Sequence, residues 1–307
     1  MPPRPNQPAV RIDLSAVIVS VVDDQPLVLV TGPGPRPALP SADFAPAADD
    51  TLELGMRRVL RTQTGVEVAY LEQLYTFGDA GRSRRGRLLT VAYLALTRRA
   101  GPECSPGGDW VGAYDLLPWE DHRQGPPPSL EGIERRVRRW AGHDDARRER
   151  ASMAFGLEGT PWDPARVLER YELLYEVGVG EEVAADRAMA RAVRAGRALH
   201  GDDRRIVATA LGRLRGKLTW RPVVFELLPE TFSLSALQAC VEALAGRHLH
   251  TPNFRRLVES GGLVEGTGLR TTTGAGRPAE LHRFRREVLR ERPAPGVGLR
   301  PGRSGAR

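Results

Sequence analysis

The sequence predicts an α+β protein in two modules joined by a helical middle. Three observations carry this. In the first third, apolar strand-like runs surround one amphipathic helix. The centre is charged, rich in Ala and Arg, and spaced as helix. Near the end, two short capped helices precede two strands around a Gly-rich turn.

Residues 11–22, "RIDLSAVIVSVV", and 27–31, "LVLVT", read as buried strands joined by the turn "DDQP". "GPGPRPALP" is a loop. Over 50–64, Leu52, Met56, Val59, Leu60 and Gln63 recur at helical steps of three and four. "LLTVAYLAL", 88–96, is a further strand, and "WVGAYDLLPW" a strand end and turn. "GPPP" breaks the chain before a charged helix over 129–150. The segment 163–200 is expected to be helical, opened by the cap and first-turn pair Asp163–Pro164. Residues 203–217 form another amphipathic helix, and "LTWRPVVFELLP" a strand or extended linker.

The C-terminal pattern is sharper. "SLSALQACVEALAG" starts on a Ser cap, places Leu234, Leu237, Val241 and Leu244 on one face, and stops at Gly246. After the turn "RHLH", "TPNFRRLVESGG" opens with Thr251 as cap and Pro252 at the first helical position. Two helices joined so tightly outline a helix-turn-helix. Its second helix enters the major groove by its N-terminal residues, here Thr251, Asn253, Arg255 and Arg256, with Phe254 and Leu257 facing inward. Asn pairs bidentately with adenine, and Arg with guanine. The strands "LVEGTG" and "LHRF" then make a wing whose Arg270 and Arg277 reach phosphates or the minor groove. A helical hairpin and β-hairpin used for protein contacts is the competing reading.

Length, charge and cysteines bound the rest. At 307 residues the chain accommodates about two domains, at roughly 150 residues each. The net charge is +7, and Lys217 is the only lysine, so the arginine bias partly reflects coding preference. Distribution says more: residues 221–307 hold 14 Arg and 8 Glu with no Asp or Lys, an excess of +6. A basic C-terminal module suggests nucleic acid, and the alternative, a solvated basic tail, applies in part after Arg292. Cys104 and Cys240 are far apart with no CxxC, so neither a disulfide framework nor a zinc site is expected. No apolar run approaches the roughly 18–20 residues that span a bilayer. "MPPRPNQPAV" has no apolar signal core, so a cytoplasmic protein is expected.

The stretch "RRVLRTQTGV", 57–66, resembles the Nudix hydrolase box. That box is a Gly, five residues, a Glu, seven residues, then Arg-Glu-apolar-x-Glu-Glu-x-Gly-apolar. Arg58, Leu60, Gly65 and Val66 match, and "LP" at 39–40 suits the approach to the motif. Asp50 falls where the first Glu belongs, and Phe44 replaces the first Gly. Val59, Thr62 and Gln63 occupy the other acidic positions. Pyrophosphate cleavage needs a divalent metal on hard oxygen ligands, and carboxylates at these spacings would share one helix face. Val59 offers no ligand, and Thr62 and Gln63 are neutral. No catalytic residue, metal or cofactor is therefore expected. "EQLYTFGDAGR", 72–82, and "LTVAYLALT", 89–97, resemble Nudix proteins that handle ADP-ribose. For such binding without cutting, Arg58, Tyr75 and Arg82 are the candidate stacking and phosphate-binding groups.

"RLRGKLTWRPVVFELLPETFSLSALQ" and "NFRR…GRPAELHRF" are similar to the winged-helix half of the Nudix-related regulators of NAD metabolism, the NrtR type. The resemblance implies an α/β/α Nudix-like sandwich with a mixed sheet over 1–125 and a winged helix over 203–292. A helical insertion over 126–202 and a disordered tail over 293–307 complete the expected organisation. It further implies a homodimer that binds a double-stranded DNA operator, acts as a repressor, and responds to ADP-ribose or a related nucleotide sugar. The alternatives are an active Nudix hydrolase of nucleoside diphosphate sugars with an accessory domain, and an adaptor built on an inert Nudix domain.

Overall fold

The computed structural model describes residues 10–79, 82, 86–98, 107–180, 195–271 and 278–297. Strands β1 (Arg11–Val22) and β2 (Gln25–Val30) form a hairpin turned by Asp23 and Asp24, both at positive φ, 50° and 59°. Such two-residue turns carry the twist of the strands, and aspartate tolerates them better than most residues. β3 (Ser41–Asp43), β4 (Tyr70–Phe77), β5 (Leu88–Leu96) and β6 (Asp109–Gly112) complete the sheet. Its order is β4-β5-β1-β2-β6, with β3 on the first half of β1. β1 and β5 run parallel and the other pairs antiparallel, so the sheet is mixed, as expected.

Helix α1 (Leu52–Thr64) lies on one face. The Thr51 hydroxyl accepts from the Leu54 amide at 3.1 Å, and Gly65 ends the helix in the left-handed region. Met56, Val59 and Leu60 are buried against Leu14, Ala16, Ile18 and Leu29. Each contributes roughly 1.5–3 kcal/mol by burial. The opposite face, with Val17, Val19, Val28, Val30 and Leu94, belongs to a core that runs through every later module.

The helical middle differs from its expectation. α2 (Ala113–Leu116) leads through a 3-10 turn at Pro118–Glu120 to α3 (Pro128–Ala141) and α4 (Asp145–Phe155). The helix read over 129–150 is therefore two. The break falls at Gly142, at φ 53°, and Asp144 recaps the chain by accepting from the Arg147 amide at 2.9 Å. α5 (Val167–Glu176) covers only part of 163–200. Gly178 and Gly180, at φ 78° and 127°, turn the chain away, and residues 195–200 are not helical. Residues 181–194 lie outside the described residues. Asp163 does not cap α5; it makes a local turn, accepting from the Ala165 amide at 2.9 Å.

α6 (Asp203–Trp220) is three residues longer than the helix read over 203–217, and it buries Ile206, Val207, Ala210, Leu211, Leu214 and Leu218. "LTWRPVVFELLP" is not a strand: Leu218–Trp220 finish α6 and Val223–Leu227 form a 3-10 turn after Pro222. The last module is β7 (Phe232–Ser233), α7 (Leu234–Ala245), α8 (Thr251–Ser260), β8 (Val264–Arg270), β9 (Glu280–Phe284) and α9 (Val288–Glu291). Its sheet order is β7-β9-β8. α7 packs directly on β1 and β2, so no free linker separates this module from the main sheet. The start of the expected disordered tail is ordered: Val297 is buried, and its amide bonds the Leu218 carbonyl at 3.0 Å. Residues 298–307 lie outside the described residues. Among those described, no helix is long and apolar enough to cross a membrane.

Candidate nucleic-acid interface and ligand site

The two helices of the C-terminal module are locked before any partner arrives. The Ser233 hydroxyl caps α7 by accepting from the Ala236 amide at 3.1 Å, and Gly246 closes it at φ 67°. Across the turn, the Gln238 amide group donates to Glu242, to the Leu249 carbonyl and to the Thr251 hydroxyl at 2.8, 3.0 and 3.1 Å. Glu242 also accepts from the Leu249 amide at 2.8 Å. Burial raises the Glu242 carboxyl, but the bonds from Gln238, Leu249 and His248 outweigh it and leave it below its ordinary range. Thr251 therefore pins the turn and is not the helix cap; that position falls to His250, whose side chain makes no capping bond. The misassignment is one of register, since Pro252 suits either of the first two helical positions.

Phe254 and Val258 anchor α8 in the core, while Leu257 is only partly buried. Thr251, Asn253, Arg255 and Arg256 are all exposed. Arg256 donates to the Asn253 side-chain amide oxygen at 2.8 Å, which holds the two side chains together. Arg270 stands exposed at the end of β8, opposite Glu280. Arg277 lies outside the described residues. At the wing base, Arg283 is tied to Glu265 at 2.6 Å. The arrangement can place polar and cationic groups along a groove, with a β-hairpin beside it.

The Nudix-like helix uses its polar groups inwardly. Arg58 donates from two nitrogens to the two carboxylate oxygens of Asp49, each at 2.7 Å. That pair, with the Ala45 amide, holds the Asp49 carboxyl below its usual range against the opposing effect of burial. Val59 is fully buried. The Thr62 hydroxyl donates to the Arg58 carbonyl at 2.9 Å. Gln63 donates to the Ser41 carbonyl at 2.7 Å and accepts from its amide at 3.1 Å, pinning β3. Asp50 is exposed. Among the described residues, no group of three His, Cys, Asp or Glu side chains could hold a metal ion.

The other two candidate ligand residues share a neighbour. Tyr75 is more than half exposed and meets Phe77 edge-on at 5.1 Å, and Arg82 covers the same ring at 5.4 Å. No described bond or ring contact joins either to Arg58. Arg82 is mostly buried, ion-paired with Asp202 and donating to Thr90 at 3.1 Å. Asp49 takes the Nε and Nη2 of Arg58, and Asp202 takes the Nη1 of Arg82, so a phosphate that seeks these donors competes with a carboxylate.

Sequence reasoning missed the groups that join the modules. Burial raises the Asp13 carboxyl to about 6 and that of Asp203 to about 7, and neighbouring carboxylates add to the effect. Deeper still, Glu120 is wholly buried between Arg170 and Arg215. Arg170 donates to its two oxygens at 2.6 and 2.9 Å and lies 4.0 Å over the Trp162 ring. Arg215 reaches the Glu120 carbonyl at 2.9 Å and the Leu244 carbonyl, on α7, at 3.0 Å. The buried Glu120 carboxyl would be raised by desolvation alone, but the two guanidiniums hold it below its ordinary range. No local pattern marks these residues, because the partners stand 50 and 95 positions apart.

Known proteins share this arrangement. Residues 224–284 match the family model for the NrtR DNA-binding winged helix domain. The ADPR responsive transcriptional repressor NtrR of Acinetobacter baylyi is 22% identical over 247 residues, covering 80% of this chain and 69% of that protein. The crystal structure of Shewanella oneidensis NrtR complexed with a 27mer DNA aligns with TM-score 0.57 at 22% identity, over 91% of this chain and 95% of that one. A MutT/nudix family protein from Enterococcus faecalis aligns with TM-score 0.52 at 17% identity, over 92% and 90% of the two chains. The chain thus has the two-part fold of the NrtR proteins, a Nudix-like sandwich followed by that family's winged helix.

Proposed function

We propose that this chain is a ligand-responsive DNA-binding transcriptional regulator that senses ADP-ribose or a related nucleotide metabolite and acts as a repressor in the cytoplasm. The observation that carries this reading is the open polar face of α8, set on a rigid helix pair beside a wing. Thr251, Asn253, Arg255 and Arg256 read bases, and Arg270 and Arg277 contact phosphates. The A. baylyi relative is described as an ADPR-responsive repressor, and the S. oneidensis protein was crystallised with DNA, which supports both halves. A homodimer presents two α8 helices to a palindrome with half-sites about one helical turn apart.

The Nudix-like half binds and does not cut. Val59, Thr62 and Gln63 replace the metal-binding glutamates, and their side chains serve the fold. Tyr75 supplies a stacking surface, while Arg58 and Arg82 supply phosphate donors once their carboxylate partners yield. Incubation with ADP-ribose and magnesium should leave the nucleotide intact, while calorimetry detects its binding. Release of AMP would assign the chain to the hydrolases instead. A gel shift with DNA from upstream of the adjoining genes tests the other half, and failure to retard it removes the regulator reading.

A further inference from the structure

Helix α6 begins where the candidate ligand loops end. Its N-cap Asp202 is ion-paired with Arg82, and Asp203 accepts from the Leu39 amide at 2.8 Å. Within the same turn, Arg205 bridges Asp79, after β4, and Glu172, on α5, at 2.7 and 2.6 Å. The loop before the Nudix-like helix and the segment after β4 are therefore both fastened to the first turn of α6. Near the opposite end, Arg215 bonds the Leu244 carbonyl on α7. A helix of 18 residues is about 27 Å long at 1.5 Å per residue. One continuous rod thus joins the loops of the sensor to the first helix of the DNA-binding pair.

Arg82 is the component of this rod's mooring that an anionic ligand can contest. Its side chain is one tenth exposed, and its guanidinium is divided between Asp202 and Thr90. Phosphate and carboxylate seek the same planar fork of donors; Asp202 holds Nη1 while Nε has no partner among the described residues, and a phosphate that takes Nη1 displaces Asp202. Asp202 itself is more accessible, at 36% side-chain exposure, and is free to turn outward when its partner is taken.

The geometry points to a latch: the Arg82–Asp202 ion pair holds the N-terminus of α6 in the ligand-free protein, and a phosphate of the bound nucleotide takes Arg82 and releases it. The rod then shifts, and Arg215 carries the shift to α7 and the groove-reading helix. This rests on the reading of the chain as a nucleotide-responsive regulator. It adds which contact the ligand breaks and which way the affinities move. Because the latch competes with the ligand, removing its carboxylate strengthens ligand binding. By linkage it also shifts DNA affinity in the direction that the ligand shifts it. A pair that only supports the pocket has the opposite sign, since removing it loosens the pocket and weakens the ligand.

The test uses the full chain with Asp202→Asn, which keeps the shape and a favoured helix-cap residue but loses the charge. ADP-ribose affinity is measured by calorimetry and operator affinity by fluorescence anisotropy. ADP-ribose should bind about 5-fold tighter or more, the lower end of ordinary coupling. The operator affinity of the ligand-free variant should move toward the value that ADP-ribose imposes on the wild type. Arg82→Gln provides the second arm: it should show the same DNA shift while losing ADP-ribose binding. Wild-type protein that binds no ADP-ribose sinks the regulator reading itself. Wild type that binds and responds, with Asp202→Asn binding ADP-ribose equally or more weakly, overturns the latch alone.

Discussion

Two pairs of arginines divide the labour of this molecule. Arg170 and Arg215 surround Glu120 in the core, their donors filled by its carboxylate and by carbonyl oxygens of Glu120, Ala154, Asp163, Pro164 and Leu244. Arg255 and Arg256 stand on α8 in solvent, with one short bond to Asn253 between them. The residue type is the same and the consequence is opposite. A guanidinium whose donors are satisfied from within fixes the fold, and one left open is available to a partner. Arg58 stands between the two pairs: Asp49 takes its Nε and Nη2, and a third of its side chain stays exposed.

Breaking the buried pair should have the largest effect. Glu120→Gln leaves two cations in the core without their counter-ion, and unpairing a buried ion pair costs about 3–5 kcal/mol. Chemical denaturation should show that loss in full-length protein, and an unchanged midpoint would mean that water reaches the cluster. Next come the open arginines. Arg255→Ala and Arg256→Ala should each weaken operator binding by about 1–3 kcal/mol, the value of a base contact, with the melting temperature unchanged. Equal affinity for all three proteins in an anisotropy titration would remove α8 as the reading helix. The last effect, of Gln63→Ala, should fall on stability alone: its two bonds to Ser41 are worth about 0.5–1.5 kcal/mol each, so the melting temperature falls while DNA binding is untouched.

What could be read from the sequence follows the same division. The α1 face, the Asp23–Asp24 turn, the α7–α8 pair and the wing strands each rest on residues a few positions apart, so their periodicity and caps are visible locally. The two-helix outcome over 129–150 turned on Gly142, a residue that a helical pattern tolerates on paper. The 3-10 turn at Val223–Leu227 was hidden by an apolar run that suits a strand equally well. Val297 sits in a Pro- and Gly-rich stretch and is ordered only because α6 offers it a buried seat. Among the site residues, the exposure of Asn253, Arg255 and Arg256 follows from helical spacing around Phe254 and Val258, while Thr251 lies on the buried stripe and is exposed because it opens the helix. The engagement of Arg58 with Asp49 and of Arg82 with Asp202 does not. Pairing depends on which carboxylate the fold brings near, and Arg82 and Asp202 are 120 residues apart.

The open face of α8 is proposed to bind duplex DNA under the control of the Nudix-like half. The most direct test is a fluorescence anisotropy titration of the full chain with upstream duplex DNA, repeated over a range of salt concentrations and with ADP-ribose added. Binding should weaken steeply with salt, because arginines displace counterions from phosphates, and ADP-ribose should reduce it further. No binding at low ionic strength, or binding indifferent to both salt and ADP-ribose, would contradict it.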